Sequence, residues 1–362
     1  MNTTDKYSID STDYEVGQDN IQKWGFDIHN QVFGISAGAI ILFLTVLLIM
    51  DPAEAKSLLD GIKLQIIDNF DGLFMWSSNI FLVFCLGLIV SPFGKIRIGG
   101  DNAKPEHSTI SWMAMLFAAG MGIGLMFYGV AEPLAYFTDW YGTPLDVEPF
   151  TEEAKKLALG GTMYHWGIHP WAIYGLVALS LAFFTYNKGL PLSMRSVFYP
   201  ILGDRTWGWF GHIIDIMTVL ATLFGLATSL GLGAQQAAGG INHVFGTDGG
   251  VNMQIGVIIF VTMLAMISVI RGIDGGVKLL SNVNMLVAVA LLFFIIFIGF
   301  SDVMSTLPLT VTGYIENIIP LSNPHGREDE TWMHGWTVFY WAWWISWSPF
   351  VGMFIARVSK GR

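Results

Sequence analysis

The sequence predicts an all-α, multi-pass membrane protein, and three observations predict it. The 362-residue chain is 53% hydrophobic and only 13% charged, about half the charge of a soluble protein. Its mean hydropathy is +0.54. Eight stretches contain no Asp, Glu, Lys or Arg: 30–50, 72–94, 107–131, 157–187, 216–247, 249–270, 279–301 and 331–356. Each supplies the roughly 20 helical residues that a hydrocarbon core about 30 Å thick requires. A water-soluble domain is thereby excluded. The lone cysteine, Cys85, lies inside the second stretch, which excludes disulfides and cysteine-ligated metal sites.

The elements follow in order. Residues 1–29 are polar and acidic and lack the short apolar core and small-residue cleavage site of a signal peptide. They read as a disordered tail, with Trp24 and Phe26 marking the interface before the first helix. If that tail is cytoplasmic, the inner segments hold 13 Lys and Arg and the outer ones 5. This asymmetry predicts a multi-pass protein of the cell (inner) membrane with its N-terminus inside. The formal charge of −10 comes mostly from the tail and the outer loops, so a nucleic-acid surface has no support. Residues 132–156, with Pro133, Pro144 and Pro149, read as an outer loop, and 303–322 as an interfacial helix.

Three stretches carry more than a lipid-facing helix needs. The third contains Gly120, Gly122 and Gly124. They serve either close helix packing or a helix that unwinds at mid-membrane so that its carbonyls meet a cation. In the fourth, Trp166, Trp171 and Tyr174 can share one sector, with Gly167 and Pro170 allowing a kink; an interfacial aromatic belt is the alternative. The eighth concentrates Trp336, Phe339, Tyr340, Trp341, Trp343, Trp344, Trp347 and Phe350 over roughly 21 Å of helix axis, too long for a belt at one depth. The natural guest of such a cluster is a quaternary ammonium or sulfonium, held by cation–π attraction. The eight stretches contain no carboxylate, which argues against a proton relay. Thr222, in the fifth, is a candidate oxygen for a sodium ion, although a buried hydroxyl also bonds back to its own helix. Neither a phosphate-binding loop, a metalloprotease His-Glu pair nor a nucleophile elbow occurs, so an enzyme is not expected.

The motifs GMGIGLMFYGVAEP at 120–133, HWGIHPWAIYGL at 165–176, GLPLSMRS at 189–196 and FYWAWWISWSPFVGMFIARVSKGR at 339–362 resemble those of the betaine/choline/carnitine transporter family. The resemblance runs from about residue 25 to the end of the chain and implies a LeuT-like inverted-repeat transporter fold. It places two peripheral helices in 30–94, a first five-helix repeat in 107–301, and the first helix of a second repeat in 331–357. The family has four further helices, so the chain is expected to resemble about two-thirds of a member, with an incomplete second repeat. The resemblance further implies a substrate cage of Trp166, Trp171, Tyr174 and Trp344. Phe127, Trp343, Trp347 and Phe350 are expected to flank the pathway and its gates. Sodium is the implied coupling ion, with carbonyls of Ala118 and Met121 at one site and Thr222 at another, where Leu226 replaces an expected hydroxyl. Gly124, an aspartate in choline-preferring members, points to a zwitterion such as glycine betaine.

The expected function is thus sodium-driven import of that osmolyte by a homotrimer in the lipid bilayer, with osmoprotection as its role. The alternatives are a proton-coupled or exchange carrier of choline, carnitine or dimethylsulfoniopropionate, and a non-transporting receptor.

Overall fold

The computed structural model describes residues 12–120 and 122–362, so Met121 lies outside the described residues. A short antiparallel hairpin, β1 (Asn20–Lys23) and β2 (Phe26–His29), leads into α1 (Asn30–Ile49). This corrects the expectation of a disordered tail for that segment. Its turn is Trp24-Gly25, both at positive φ, the pattern that tight hairpins require. Tyr14 stacks on Trp207 at 4.2 Å, and the Trp207 indole donates to Thr12 Oγ1 at 2.8 Å.

The remaining helices of more than ten residues are α2 (Pro52–Val90), α3 (Thr109–Gly120), α4 (Ile123–Phe137), α5 (Glu152–Trp166), α6 (Ile168–Ala182), α7 (Trp209–Phe245), α8 (Val251–Ile270), α9 (Lys278–Ile298), α10 (Phe300–Ser322) and α11 (Phe339–Val358). Together they form an all-α, multi-pass membrane bundle. Six helical segments among the described residues are long and apolar enough to cross a membrane: α1, α2, Glu152–Asn187, α7, α8 and Gly275–Ile298.

The expected stretch 107–131 is not one of these, because the chain breaks it into helices of 12 and 15 residues. Nor is 331–356, whose indoles and phenols lower its hydropathy. At 39 residues, roughly 58 Å at 1.5 Å per residue, α2 outreaches a bilayer. Its first half, which carries Glu54, Lys56, Asp60, Lys63, Asp68 and Asp71, extends the helix beyond the span read from sequence.

The expected outer loop 132–156 is shorter than it reads. Helix α4 continues through Pro133 to Phe137, and α5 starts at Glu152, capped by the Thr151 side chain.

The core lies where α11 packs along α6, α10 along α5, and α4 against α5. Glycines set two of these approaches. A Cβ on Gly160 would lie 2.5 Å from the Gly313 backbone, and one on Gly352 2.6 Å from Val177. Around this core α1, α8 and α9 expose long apolar side chains such as Leu48, Ile270 and Phe297.

The loops gather at two ends. At one, the Ile98 amide donates to the Arg362 carbonyl at 2.9 Å, and Asn187 Nδ2 donates to the Arg97 carbonyl at 2.9 Å. At the other, His334 sits between Asp68 and Asp71, and Asp329 accepts from the Leu145 amide at 2.6 Å.

Candidate functional site

Two helix breaks build the site. Helix α3 stops at Gly120 and α4 starts at Ile123, with Gly122 out of helical geometry at φ −124°, ψ −118°. Helix α5 stops at Trp166 and α6 starts at Ile168, with Gly167 at φ −89°, ψ −132°. Pro170 falls in the first turn of α6, where its missing N–H costs no helical bond.

The glycines facing this region make room for indoles. A Cβ on Gly120 would come within 2.7 Å of the Trp171 ring, and one on Gly124 would enter the Trp166 ring. The pair four residues apart therefore admits aromatic rings, which neither open reading of these glycines had included. Their helix is interrupted, as the unwinding alternative required.

The rings meet in a chain. Trp166 lies edge-on to Trp344 at 5.0 Å, Tyr174 edge-on to Trp344 at 5.8 Å, and Trp171 edge-on to Tyr174 at 6.1 Å. Trp343 stacks on Trp344 at 5.0 Å with 8° between the planes. Trp166, Tyr174, Trp343 and Trp344 are all buried. The Trp344 indole donates to the His165 carbonyl at 3.3 Å, which ties α11 to the end of α5.

A cavity of about 150 Å³ lies between the first glycine break and this aromatic wall. Ala118, Gly122 and Gly124 line one side, and Trp166, Trp343, Trp344 and Trp347 the other. Of the expected cage, Trp166 and Trp344 border the cavity directly. Trp171 and Tyr174 stand behind, against Gly120 and Trp344. Phe127 packs on Tyr128 at 4.9 Å, and Phe350, on the far side of Trp347 at 4.8 Å, is 48% exposed. Thr222 is half-buried on α7 and lies about 10 Å along that helix from the cavity-lining Ser229. Leu226 is exposed. Ala118 falls in the last turn of α3, where helix carbonyls lack partners within the helix. Met121, the other expected carbonyl donor, lies outside the described residues.

Ser229 is a lining residue the sequence reading did not single out for the cavity. Its hydroxyl sits one turn beyond Gly225, whose missing Cβ leaves room for the Trp347 ring. Trp343 adds a buried indole N–H, and Tyr174 a buried hydroxyl, that have no hydrogen-bond partner among the described residues.

The larger omission is Glu132. It is fully buried and corrects the expectation of a core without carboxylates. Its Oε1 accepts from Trp166 Nε1 and from the Tyr340 hydroxyl, each at 2.5 Å. Its Oε2 accepts from the Tyr136 hydroxyl at 2.7 Å and lies 3.2 Å from His165 Nδ1. Glu132 follows the charge-free stretch by one residue and precedes a proline, so it reads as the start of a loop. The signal available was its place within GVAEP, at the end of the glycine motif.

Fold and site together define a helical membrane protein with an aromatic cavity at a broken helix. The profile of the betaine/carnitine/choline family of transporters (BCCT) matches residues 31–362, and the chain belongs to that family. That makes it a transporter homologue and not an enzyme.

Two transporters of Vibrio parahaemolyticus, one described as a glycine betaine/proline/choline/ectoine transporter and the other as glycine betaine transporter 1, are each 70% identical to it, over 100% and 99% of this chain. A glycine betaine/proline/choline transporter of the same organism is 50% identical over 99% of the chain. The expected reach of the resemblance is corrected to residues 31–362, so the family pattern is followed along nearly this whole chain. The chain spans 64% of the length of the first relative and 68% of the other two.

Proposed function

We propose that this chain serves the sodium-driven import of glycine betaine or a closely related quaternary-ammonium osmolyte. The observation that carries the reading is the cavity itself, with indole faces on one side and an opened helix on the other. A trimethylammonium group has no N–H to donate, so Trp166 and Trp344 hold it by cation–π attraction in a desolvated place. A zwitterion's carboxylate then meets the Ser229 hydroxyl and the unpartnered Trp343 N–H. Buried donors of this kind are ordinarily satisfied.

The names of the three relatives, all of which include glycine betaine, support the same substrate. One sodium is assigned to a site that includes the Ala118 carbonyl at the end of α3, and a second to a separate site that includes Thr222 on α7. Trp171 and Tyr174 brace the cage, and Phe127, Trp343, Trp347 and Phe350 flank the route to it.

In the same reading the helices from α3 onward follow a LeuT-like inverted repeat, α10 lies at the interface, and the assembly is a trimer in the inner membrane. This reading puts the N-terminus in the cytoplasm, on the Lys and Arg asymmetry of the loops and because Thr12 and Tyr14 pack on Trp207, next to Arg205.

Ser229→Ala is expected to weaken glycine betaine binding about tenfold to a hundredfold, the net loss for a hydrogen bond to a charged group, and to leave choline binding unchanged. Competition binding with both ligands measures this.

A second reading has one observation in its favour. The buried Glu132–His165 pair beside the cavity is the kind of group found in proton relays. Labelled glycine betaine uptake, in a host without osmolyte carriers of its own, decides between the two. Replacing sodium by potassium or lithium should abolish uptake, and Thr222→Ala should raise the sodium concentration needed for half-maximal rate. Full uptake driven by a proton gradient without sodium would replace the sodium reading with the second.

A further inference from the structure

We propose that Glu132 is the positioning and selectivity residue of the aromatic cavity. Its buried carboxylate clamps the Trp166 indole and the Tyr340 phenol, and so favours a cationic headgroup over a neutral one of the same shape. The proposal rests on reading this cavity as the substrate site.

The geometry binds one side chain to three helices. From α4, Glu132 holds Trp166 at the end of α5 and Tyr340 on α11 through one oxygen. Through the other it holds Tyr136 of its own helix and faces His165 of α5. An ionised carboxylate accepts about four hydrogen bonds, so these partners fill it. His165 fits the same arrangement. Its Nε2 lies 2.9 Å from Thr337 Oγ1; with that hydroxyl donating, the single ring proton stays on Nδ1, facing Glu132 and the Tyr136 oxygen at 2.9 Å. All four partners are then neutral donors.

A buried charge held only by neutral groups is costly to bury and gains from a nearby cation. Trp166 links that charge to the cavity: its N–H bonds the carboxylate while its ring borders the cavity beside Gly124 and Trp344. Hydrogen bonding to an anion polarises the indole and enriches its ring face, which strengthens attraction for a cation and does nothing for a neutral group. The clamp also fixes the ring's orientation through a directional bond, which the ring contacts of Trp166 with Tyr128, Tyr340 and Trp344 do not supply.

The test compares glycine betaine with 3,3-dimethylbutanoate, in which carbon replaces the quaternary nitrogen. Binding to the purified protein is followed by tryptophan fluorescence. The wild type should prefer glycine betaine. Glu132→Gln, which keeps the shape and one acceptor oxygen but loses the charge, should reduce that preference about tenfold, mainly by weakening betaine.

Tyr340→Phe keeps the charge and removes one clamp, so it should weaken betaine about threefold to tenfold while retaining the preference; it carries the test if the glutamine variant does not fold. A Glu132→Gln protein with wild-type preference overturns the proposal, as does a Tyr340→Phe protein with unchanged betaine affinity. A wild type that binds neither ligand overturns the substrate reading and this proposal with it.

Discussion

Gly124→Val should reduce glycine betaine uptake at least fivefold in protein that still reaches the membrane. A Cβ at this position would enter the Trp166 ring. That ring cannot simply turn aside, because Glu132 holds its N–H and Trp344 and Tyr340 stand against it at 5.0 and 5.6 Å. Overpacking of a fixed site typically costs 1–3 kcal/mol, about fivefold to more than a hundredfold in affinity.

Gly122→Val makes an informative companion. Gly122 also lines the cavity, but a Cβ there meets nothing within 4 Å. It should therefore narrow the space for substrate and lower uptake without displacing an indole. Near-UV circular dichroism separates the two variants, since only the Gly124 variant should alter the environment of a buried tryptophan. The aspartate that the family resemblance associates with choline would meet the same ring. Gly124→Asp therefore gains choline uptake only if Trp166 moves.

Trp344→Leu should weaken glycine betaine binding about fivefold or more while expression stays near normal. Trp344 is central to the ring chain, in contact with Trp166, Tyr174 and Trp343, and it borders the cavity. Leucine restores apolar bulk but has no π-face, so the loss is that of a desolvated cation–π partner, about 1 kcal/mol or more. Unchanged affinity measured by calorimetry would reduce Trp344 to packing.

Much of this fold was legible because bilayer thickness dictates helix length. The apolar stretches 30–50, 249–270 and 279–301 correspond to α1, α8 and α9 within a few residues. The breaks were legible as glycines: both Gly122 and Gly167 interrupt helices, and the indoles expected near them border the cavity or brace its wall.

What the sequence hid was set by tertiary contacts. Glu132 is tolerated inside the bundle because four donors from α4, α5 and α11 converge on it, and the most distant of them, Tyr340, lies 208 residues from it along the chain. Charge counting placed its boundary at residue 131 and so assigned it to a loop. The hairpin at 20–29 escaped notice because its few apolar residues, Ile21, Trp24, Phe26 and Ile28, follow a polar, acidic leader, although the Trp24-Gly25 turn was in plain view. Eight charge-free stretches stand against six described helical segments long and apolar enough to cross a membrane, because a break divides 107–131 and the indoles of 331–356 make it less apolar than a lipid-facing helix.

The most direct test of the central claim is a cryo-electron microscopy map of the protein with glycine betaine and sodium. The account predicts ligand density within the cavity, its trimethylammonium end between Trp166 and Trp344 and its carboxylate toward Ser229. Ligand density away from these rings, with the cavity beside Gly122 and Gly124 left free, would contradict it.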